Sequence, residues 1–578
     1  MDKKLNYGMY KDLVSKYENI VNKIANVRVI MFIVMVISFI LKYYYYKVFF
    51  NIVFILSLVL FVVMVFLYDK YFKVYDYYVK YLKVLDTYLA RENGEWKSFS
   101  DKGTDFSSYD KYFLSDLDIL GDCSLFQYLS VCKTLGGRRR LMDKLSNLDI
   151  DRQELEKNQK LIQELVSDVD FCVKFQVAMN FYDKKGIDLS LDVNKFMDVD
   201  KASKEFIIGI VAFVICMFLF IMGILNIIPL AYFYGMFFFN LGISFLYLYI
   251  YRDDFIKLDK LVLSYGNLFG VFELVSDYKA DSFKLKRIVK DMKNGLDKIY
   301  RLKKLEGINS LRNNLLSNFL LNGFGCLNLF IRFNHLSFVN NYFTDLKDSI
   351  FDIEELEALV SLATIGIVKN DKCMPVYSDK IGFSFKGLKH PLIDEEVCVS
   401  NDFDTKAGVS IITGSNMGGK TTFLRTIGIN LILMQAGSYV CCDEMEASYF
   451  KIFTSMRVMD NVDKGISTFY GELLRIKDMV DYVDKGNMLV LVDEIFKGTN
   501  YNDRMYGARE VVSRLNNDST VALITTHDFE LCDSKGVSNY HVKEDYEGDR
   551  IVFDYKIRTG KCTSTNAKYL MKKLDIVN

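Results

Sequence analysis

Hydrophobic and polar residues alternate differently in different stretches of this chain, and the changes mark out its parts. Val48–Tyr68 is 21 residues without a charge, about 31 Å as a helix, which matches a hydrocarbon layer of ~30 Å. Before it, Val29–Leu41 is apolar, and Lys42 and Tyr43–Tyr46 follow. Such side chains snorkel to an interface. The pattern predicts a tight hairpin of two membrane helices, over 29–46 and 48–68. Phe206–Tyr251 is a second uncharged run of 46 residues, with a natural break at Asn226–Pro229. It predicts a second hairpin over 206–251, so four spans in all.

The remaining stretches are periodic in other ways. Residues 1–28 are polar, show no small-residue cleavage site and read as a cytoplasmic N-terminal helix. Residues 75–205 and 252–370 carry charged, helical patterns, with apolar stripes such as Leu261, Tyr265, Leu268 and Phe272. Residues 375–578 change character. The β-rich runs Val409–Thr413, Met488–Val492 and Val521–Thr525 alternate with helical stretches. That alternation predicts an α/β domain with a largely parallel sheet. The expected fold is multi-domain: an α-helical region interrupted by transmembrane helices, then a C-terminal α/β nucleotide-binding domain.

Charge sets the topology. Lys23 and Arg28 precede the first span, Lys70 and Lys73 follow the second, Lys201 and Lys204 precede the third, and Arg252 and Lys257 follow the fourth. Only Lys42 and Lys47 lie in the first outer turn, and the second has none. The positive-inside rule then predicts a multi-pass protein of the plasma membrane, with both termini and the α/β domain in the cytoplasm. Composition agrees. The 578 residues are 51% hydrophobic with a mean hydropathy of +0.11, and only 3 are proline. That excludes a disordered chain. The 73 basic residues balance 73 acidic ones, so no global basic field advertises nucleic acid. Eleven cysteines without regular spacing, Cys441 and Cys442 among them, read as reduced thiols rather than disulfides or a zinc site.

The chemistry concentrates after residue 400. The strand Val409–Thr413 runs into Gly414-Ser-Asn-Met-Gly-Gly-Lys-Thr421, which fits G-x-x-x-x-G-K-S/T. Glycines let backbone N–H groups curl round phosphate oxygens, and the following helix adds its positive end. Lys420 reaches the β- and γ-phosphates, and Thr421 ligates Mg²⁺. Met488–Val492 is a second apolar strand and leads into Asp493 and Glu494. Asp493 is assigned to the Mg²⁺ shell and Glu494 to general-base activation of the attacking water. The third strand ends at His527, placed to contact the γ-phosphate.

At these residues the chain resembles the MutS DNA mismatch repair ATPases, whose loop reads Gly-Pro-Asn-Met-Gly-Gly-Lys-Ser-Thr. Further similarities follow in order. They are His390-Pro391, Gln435-Ala-Gly-Ser-Tyr-Val440, Ile452-Phe-Thr454, Gly465-Ile-Ser-Thr-Phe469, Asp493-Glu-Ile-Phe-Lys-Gly-Thr499, and Thr526-His527 with Glu530-Leu531. Weaker similarity upstream, at Leu125–Leu129, Leu135–Leu141 and Glu355–Leu362, looks like the family's helical core and lever. The resemblance implies an ABC-type P-loop ATPase that uses ATP and Mg²⁺ as a homodimer with two composite sites. It implies nucleotide contacts from Gly414, Ser415, Asn416, Met417, Gly418, Gly419, Lys420, Thr421 and Thr422. Gly465, Ser467 and Thr468 would reach the partner's nucleotide, and Tyr555 would stack on the base. The family's other base-stacking ring is missing from Cys398-Val-Ser-Asn401.

Departures from the family bear on its role. Apolar helices begin where the family has its mismatch reader, the connector domain has no counterpart, and Ser415 stands at the usual proline. The C-terminal helix-turn-helix is mostly missing before Asn578. Two classes of function follow. One is a membrane-anchored, nucleotide-switched clamp with DNA as a candidate partner, for which Arg138–Arg140, Lys284, Lys286, Lys290 and Lys293 offer phosphate contacts. The other is a transporter-like ATP-driven membrane machine. Against it, 206–251 holds no charge, whereas intramembrane ionisable groups usually mark a pathway.

Overall fold

The computed structural model describes residues 6–45, 48–106, 109, 111–147, 152–180, 199–415, 417–457, 468–497, 499–547 and 550–562. The chain forms two compact units, residues 1–95 with 168–181, and residues 96–167 with 182–578.

The first unit is built on two long helices, α1 (Tyr7–Tyr45) and α2 (Val48–Glu92). They pair along their length through Tyr10 stacked on Tyr81 at 4.0 Å, Arg28 over the Tyr68 ring at 4.5 Å, and Phe39 against Phe54 at 5.7 Å. The sequence suggests a separate polar helix over 1–28 and a second span ending near 68. The structure instead runs each apolar segment into its polar extension without interruption. No proline stands at either junction, so the hydrogen-bond ladder continues. The turn residues 46–47 lie outside the described residues.

The other unit's first part is helical. It comprises α3 (Tyr112–Asp116), α4 (Leu125–Leu129), α5 (Leu135–Ser146) and α6 (Arg152–Ser167). Next in the chain, α7 (Val169–Asn180) belongs to the first unit, where Tyr81 donates to Asp170 at 2.8 Å and Gln176 to Tyr88 at 2.6 Å. The second unit continues with α8 (Val199–Ile224), α9 (Ala231–Ile250), α10 (Arg252–Gly266), α11 (Phe269–Ser276), α12 (Phe283–Asn313), α13 (Leu315–Gly325) and α14 (Leu327–Val368). Asn226, with φ of +56°, turns the chain between α8 and α9. Among the described residues α1, α2, α8 and α9 are the four helices long and apolar enough to cross a membrane.

The C-terminal part is α/β with two mixed sheets. The first holds β1 (Val376–Tyr377), β2 (Gly382–Leu388), β3 (Asn401–Lys406) and, after β4 (Gly408–Thr413) and α15 (Lys420–Gln435), β5 (Glu444–Ala447), in the order β1-β5-β2-β3. The second adds β6 (Lys451–Ser455), then α16 (Thr468–Tyr482), β7 (Met488–Asp493), α17 (Tyr501–Leu515), β8 (Thr520–Thr525), β9 (Ser538–Glu547) and β10 (Arg550–Thr559). Its order is β10-β9-β4-β8-β7-β6, parallel except for the β9–β10 hairpin. The central strands are buried on both faces. Every residue of β8 is buried, as a parallel strand covered by helices requires.

Candidate functional site

In such a sheet the C-terminal strand ends form the crevice where ligands bind. Here β4, β8 and β7 lie side by side, with Ile412 opposite Thr525 and Thr525 opposite Asp493. The loop after β4, the acids after β7 and His527 after β8 therefore share one edge.

The Gly414–Thr421 loop turns on two glycines. Gly414 has φ of +139°, and a Cβ there would lie 2.3 Å from Val542 Cγ2, so only glycine fits against β9. Gly419, with φ of +85°, ends the loop at the N-terminus of α15. A helix start leaves N–H groups without intrahelical partners. Lys420, buried, donates to the carbonyl oxygens of Gly414 and Ser415 at 2.8 Å each and sits 3.4 Å from His527 Nε2. Desolvation lowers its pKa from the ordinary lysine value, an effect only partly offset by Glu494 and Asp493. The Ser415 hydroxyl is buried without a hydrogen-bond partner among the described residues. Met417 is exposed on the loop, and Gly418 packs on Val542. Thr422 lies one residue into the helix, beyond Thr421.

Asp493 accepts hydrogen bonds from the Thr421 hydroxyl at 2.9 Å and the Thr525 hydroxyl at 2.6 Å, with Lys497 at 3.5 Å. Glu494 Oε1 lies 3.2 Å from His527 Nε2, and this partner holds its carboxyl below the usual range. Glu494 and Phe496 both adopt positive φ, +59° and +60°. Non-glycine residues reach that region at a cost of about 1–3 kcal/mol. Backbone bonds fix the turn: Glu494 N–H donates to Thr525 O at 3.1 Å and Phe496 N–H to the buried Glu472 carboxylate.

Beside the loop is a cavity of about 270 Å³, walled by Ile393, Val397, Cys398 and Val399 on one side and by Thr422 and Tyr555 on others. Tyr555 sits in a bulge of β10, with φ of +55°, and its ring lies close to Gly419. Asn401 fixes the bulge by donating to Tyr555 O at 3.0 Å and accepting from Ile557 N–H at 2.8 Å. The sequence reading found no aromatic ring at 398–401. The structure puts that stretch on the cavity wall with aliphatic and thiol side chains instead. His390 lines the same cavity, and burial pushes its imidazole down to about 4.

A second cluster braces the domain's flank. Asp116, fully buried on α3, accepts from the Thr454 hydroxyl at 2.7 Å, the N–H groups of Met456 and Arg457 at 3.1 Å each, and Arg475 at 2.9 Å. Asp118 pairs with Arg425 at 3.2 Å and Arg457 at 2.6 Å. These contacts flank the segment 458–467. Asn416, Gly465 and Ser467 lie outside the described residues, and Thr468 is described only as the first residue of α16. Asp116, Asn401 and Thr525 belong to no sequence motif of the site. The only trace of Thr525 was its place at a strand end.

Three of the cations nominated for phosphate contacts bond within the protein. Arg138 pairs with Asp101 at 2.8 Å and Asp105 at 2.6 Å, Lys284 with Glu154 and Glu355 at 2.8 Å, and Arg140 lies 3.7 Å from Glu354. Lys286, Lys290 and Lys293 are exposed on α12.

The comparisons agree with this geometry. Residues 410–572 match MutS domain V. A DNA mismatch repair protein MutS of Natronomonas pharaonis is 31% identical over 225 residues, which is 37% of this chain and 26% of that protein. The chain thus spans about a quarter of the length of that curated relative. Strand ends, loop and sequence match point to one conclusion, that the C-terminal part of this chain is similar to the MutS ATPase domain, MutS domain V.

Proposed function

We propose that the C-terminal domain is a P-loop ATPase that works as a dimer, anchored to the plasma membrane by α1, α2, α8 and α9. The observation that carries this is the convergence of Lys420, Thr421, Asp493, Glu494 and His527, from three adjacent strand ends, on one loop. The donor set fits Mg²⁺. A hydroxyl and a carboxylate oxygen, Thr421 and Asp493, meet at the loop, and a hard cation that keeps several waters needs no larger protein cage. Among the described residues no cluster of three His, Cys, Asp or Glu forms such a cage. When bound, the ion neutralises phosphate charge.

The chain's own groups do the rest. Lys420 swings from the loop carbonyls to phosphate oxygens, and the α15 N-terminus supplies further donors. Glu494, ionised and oriented by His527, accepts a proton from the attacking water. Tyr555 and the aliphatic wall around Val397 hold the base. Gly465, Ser467 and Thr468 complete the partner's site, so nucleotide joins two chains and hydrolysis releases them.

Nucleotide binding and phosphate release by the detergent-solubilised chain test this directly. Lys420→Ala abolishes both. Glu494→Gln keeps binding, blocks hydrolysis and accumulates dimer. Normal hydrolysis by Glu494→Gln overturns the general-base assignment. Adding DNA at two salt concentrations tests the clamp reading, since stimulation through phosphate contacts weakens with salt.

A further inference from the structure

The segment between α12 and α14 belongs by its sequence pattern to the helical, charged region 252–370. Asn313–Ile331 is nevertheless 19 residues without a charge. In the structure it folds back on itself. Helix α13 runs to Gly325, Cys326 turns the chain with φ of +52° and ψ of +57°, and α14 departs. This turn packs against α8 and α9. The Gly323 carbonyl lies 3.7 Å from Cys216 Sγ, the Phe324 ring is 5.8 Å from Phe220 and 5.6 Å from Phe237, and a Cβ on Gly325 would lie 2.8 Å from Phe213. Cys216 is 10 residues beyond Phe206, where the charge-free part of α8 starts. At 1.5 Å per residue that is about 15 Å, half of a ~30 Å hydrocarbon core.

We propose that residues 313–331 form a re-entrant hairpin that enters the bilayer from the cytoplasmic side, turns at its midplane and leaves on the same side, with lipid chains covering the outer face of α13. The proposal rests on the reading of α8 and α9 as membrane helices.

Two independent observations support it. The first is how the break is satisfied. A broken helix in hydrocarbon is tolerated only where side chains replace the lost backbone bonds. Asn240 Nδ2 donates to the carbonyl oxygens of Gly323 at 3.0 Å and Phe324 at 3.3 Å. Asn322 Oδ1 accepts from Asn328 N–H at 3.1 Å and from the Ser244 hydroxyl. Asn328 Nδ2 donates back to the Ser244 carbonyl at 3.2 Å. Asn240, Ser244, Asn322 and Asn328 are all fully buried. The second is where charge stops. At one foot Arg312 pairs with Asp259 of α10. At the other, Arg332 meets Glu205 at 3.1 Å and Asp254 at 3.2 Å, and lies 3.8 Å from the Tyr251 ring. Glu205 directly precedes the uncharged stretch of α8, so these ion pairs mark the cytoplasmic interface.

The outer face of α13 is apolar and bare. Leu315 is 89% exposed and Leu316 66%, with Phe319 and Leu320 beyond them. It packs against α9, because Phe319 lies 5.4 Å from the buried Phe237, whose helix neighbours Tyr234 and Phe238 are exposed. A patch continuous with a lipid-facing surface has lipid as its occupant.

Depth-dependent fluorescence quenching tests this on the full chain in vesicles of phosphatidylcholine brominated at mid-chain. The chain's one tryptophan, Trp96, is buried and supplies a constant background. Leu320→Trp probes the hairpin, Phe239→Trp the α9 span, and Tyr506→Trp the aqueous domain, each with ATPase activity as the check on folding. The expected result is loss of the added emission at 320 and 239 but not at 506. Leu321→Trp, the next exposed position, gives the same reading if the 320 variant misfolds. Quenching at 239 without quenching at 320 and 321 means that water or a second copy covers α13. That result overturns the hairpin and leaves the membrane reading intact. No quenching at 239 overturns the membrane reading itself.

Discussion

Replacing Asp116 by alanine strikes the contact between α3 and the ATPase domain. The carboxylate is fully buried, and Arg475 opposite it is only 10% exposed at its side chain. Asp116→Ala removes four hydrogen bonds and strands a buried guanidinium. Breaking a buried pair by removing one partner costs about 3–5 kcal/mol. At about 2–4 °C per kcal/mol for a unit of 150–250 residues, the melting temperature falls by roughly 6–20 °C. Thermal unfolding of the detergent-solubilised chain reads this out. The double variant Asp116→Ala, Arg475→Leu regains part of the loss, because no charge is then stranded. A melting temperature within about 2 °C of the parent, or strict additivity in the double variant, refutes the reasoning.

Other predictions follow from the same geometry. Tyr555→Ala weakens nucleotide binding by about 5- to 150-fold in titrations, the equivalent of about 1–3 kcal/mol for base stacking, whereas Tyr555→Phe keeps it. Glu357 is buried between Lys133 and Thr134, and desolvation pushes its carboxyl up to about 7, above the ordinary value. The folded chain therefore binds an extra proton between about pH 4.3 and about 7, so this group's stabilisation is full below that window and is lost as pH rises through it. Melting temperatures measured across that range decline with pH more steeply in the parent than in Glu357→Gln. Equal slopes refute the assignment. His390 works in the opposite direction. Its imidazole is pushed down to about 4, so its contribution is present above about pH 6.5 and fades as pH falls toward 4.

The legible parts of this protein are those whose chemistry is local. Gly414–Thr421, Asp493 and Glu494 could be assigned because a strand, a turn and a helix N-terminus follow one another within a few residues. The α/β alternation was legible for the same reason. Asp116 could not be found this way, since 359 residues separate it from Arg475 and nothing near it in sequence predicts the partner. Val397 carries no sequence signal, because an aliphatic residue on a cavity wall belongs to no motif. The 313–331 segment escaped because its asparagines and glycines dilute the hydropathy. Those same residues close the hydrogen bonds at its turn.

Helix α14 gains a further meaning from its two ends. Its first turn leaves Cys326 among the apolar rings of α8 and α9, and its last turns lie against the ATPase domain, where Ser438 donates to Leu362 O at 2.8 Å and Gly366 packs on Tyr439. Its 42 residues make a strut of about 63 Å with no proline to bend it. A tilt of about 5° at the ATPase end moves the far end by about 5 Å, a whole helical turn. The α/β domain and the apolar helices α8 and α9 are thereby joined by one unbroken piece of backbone.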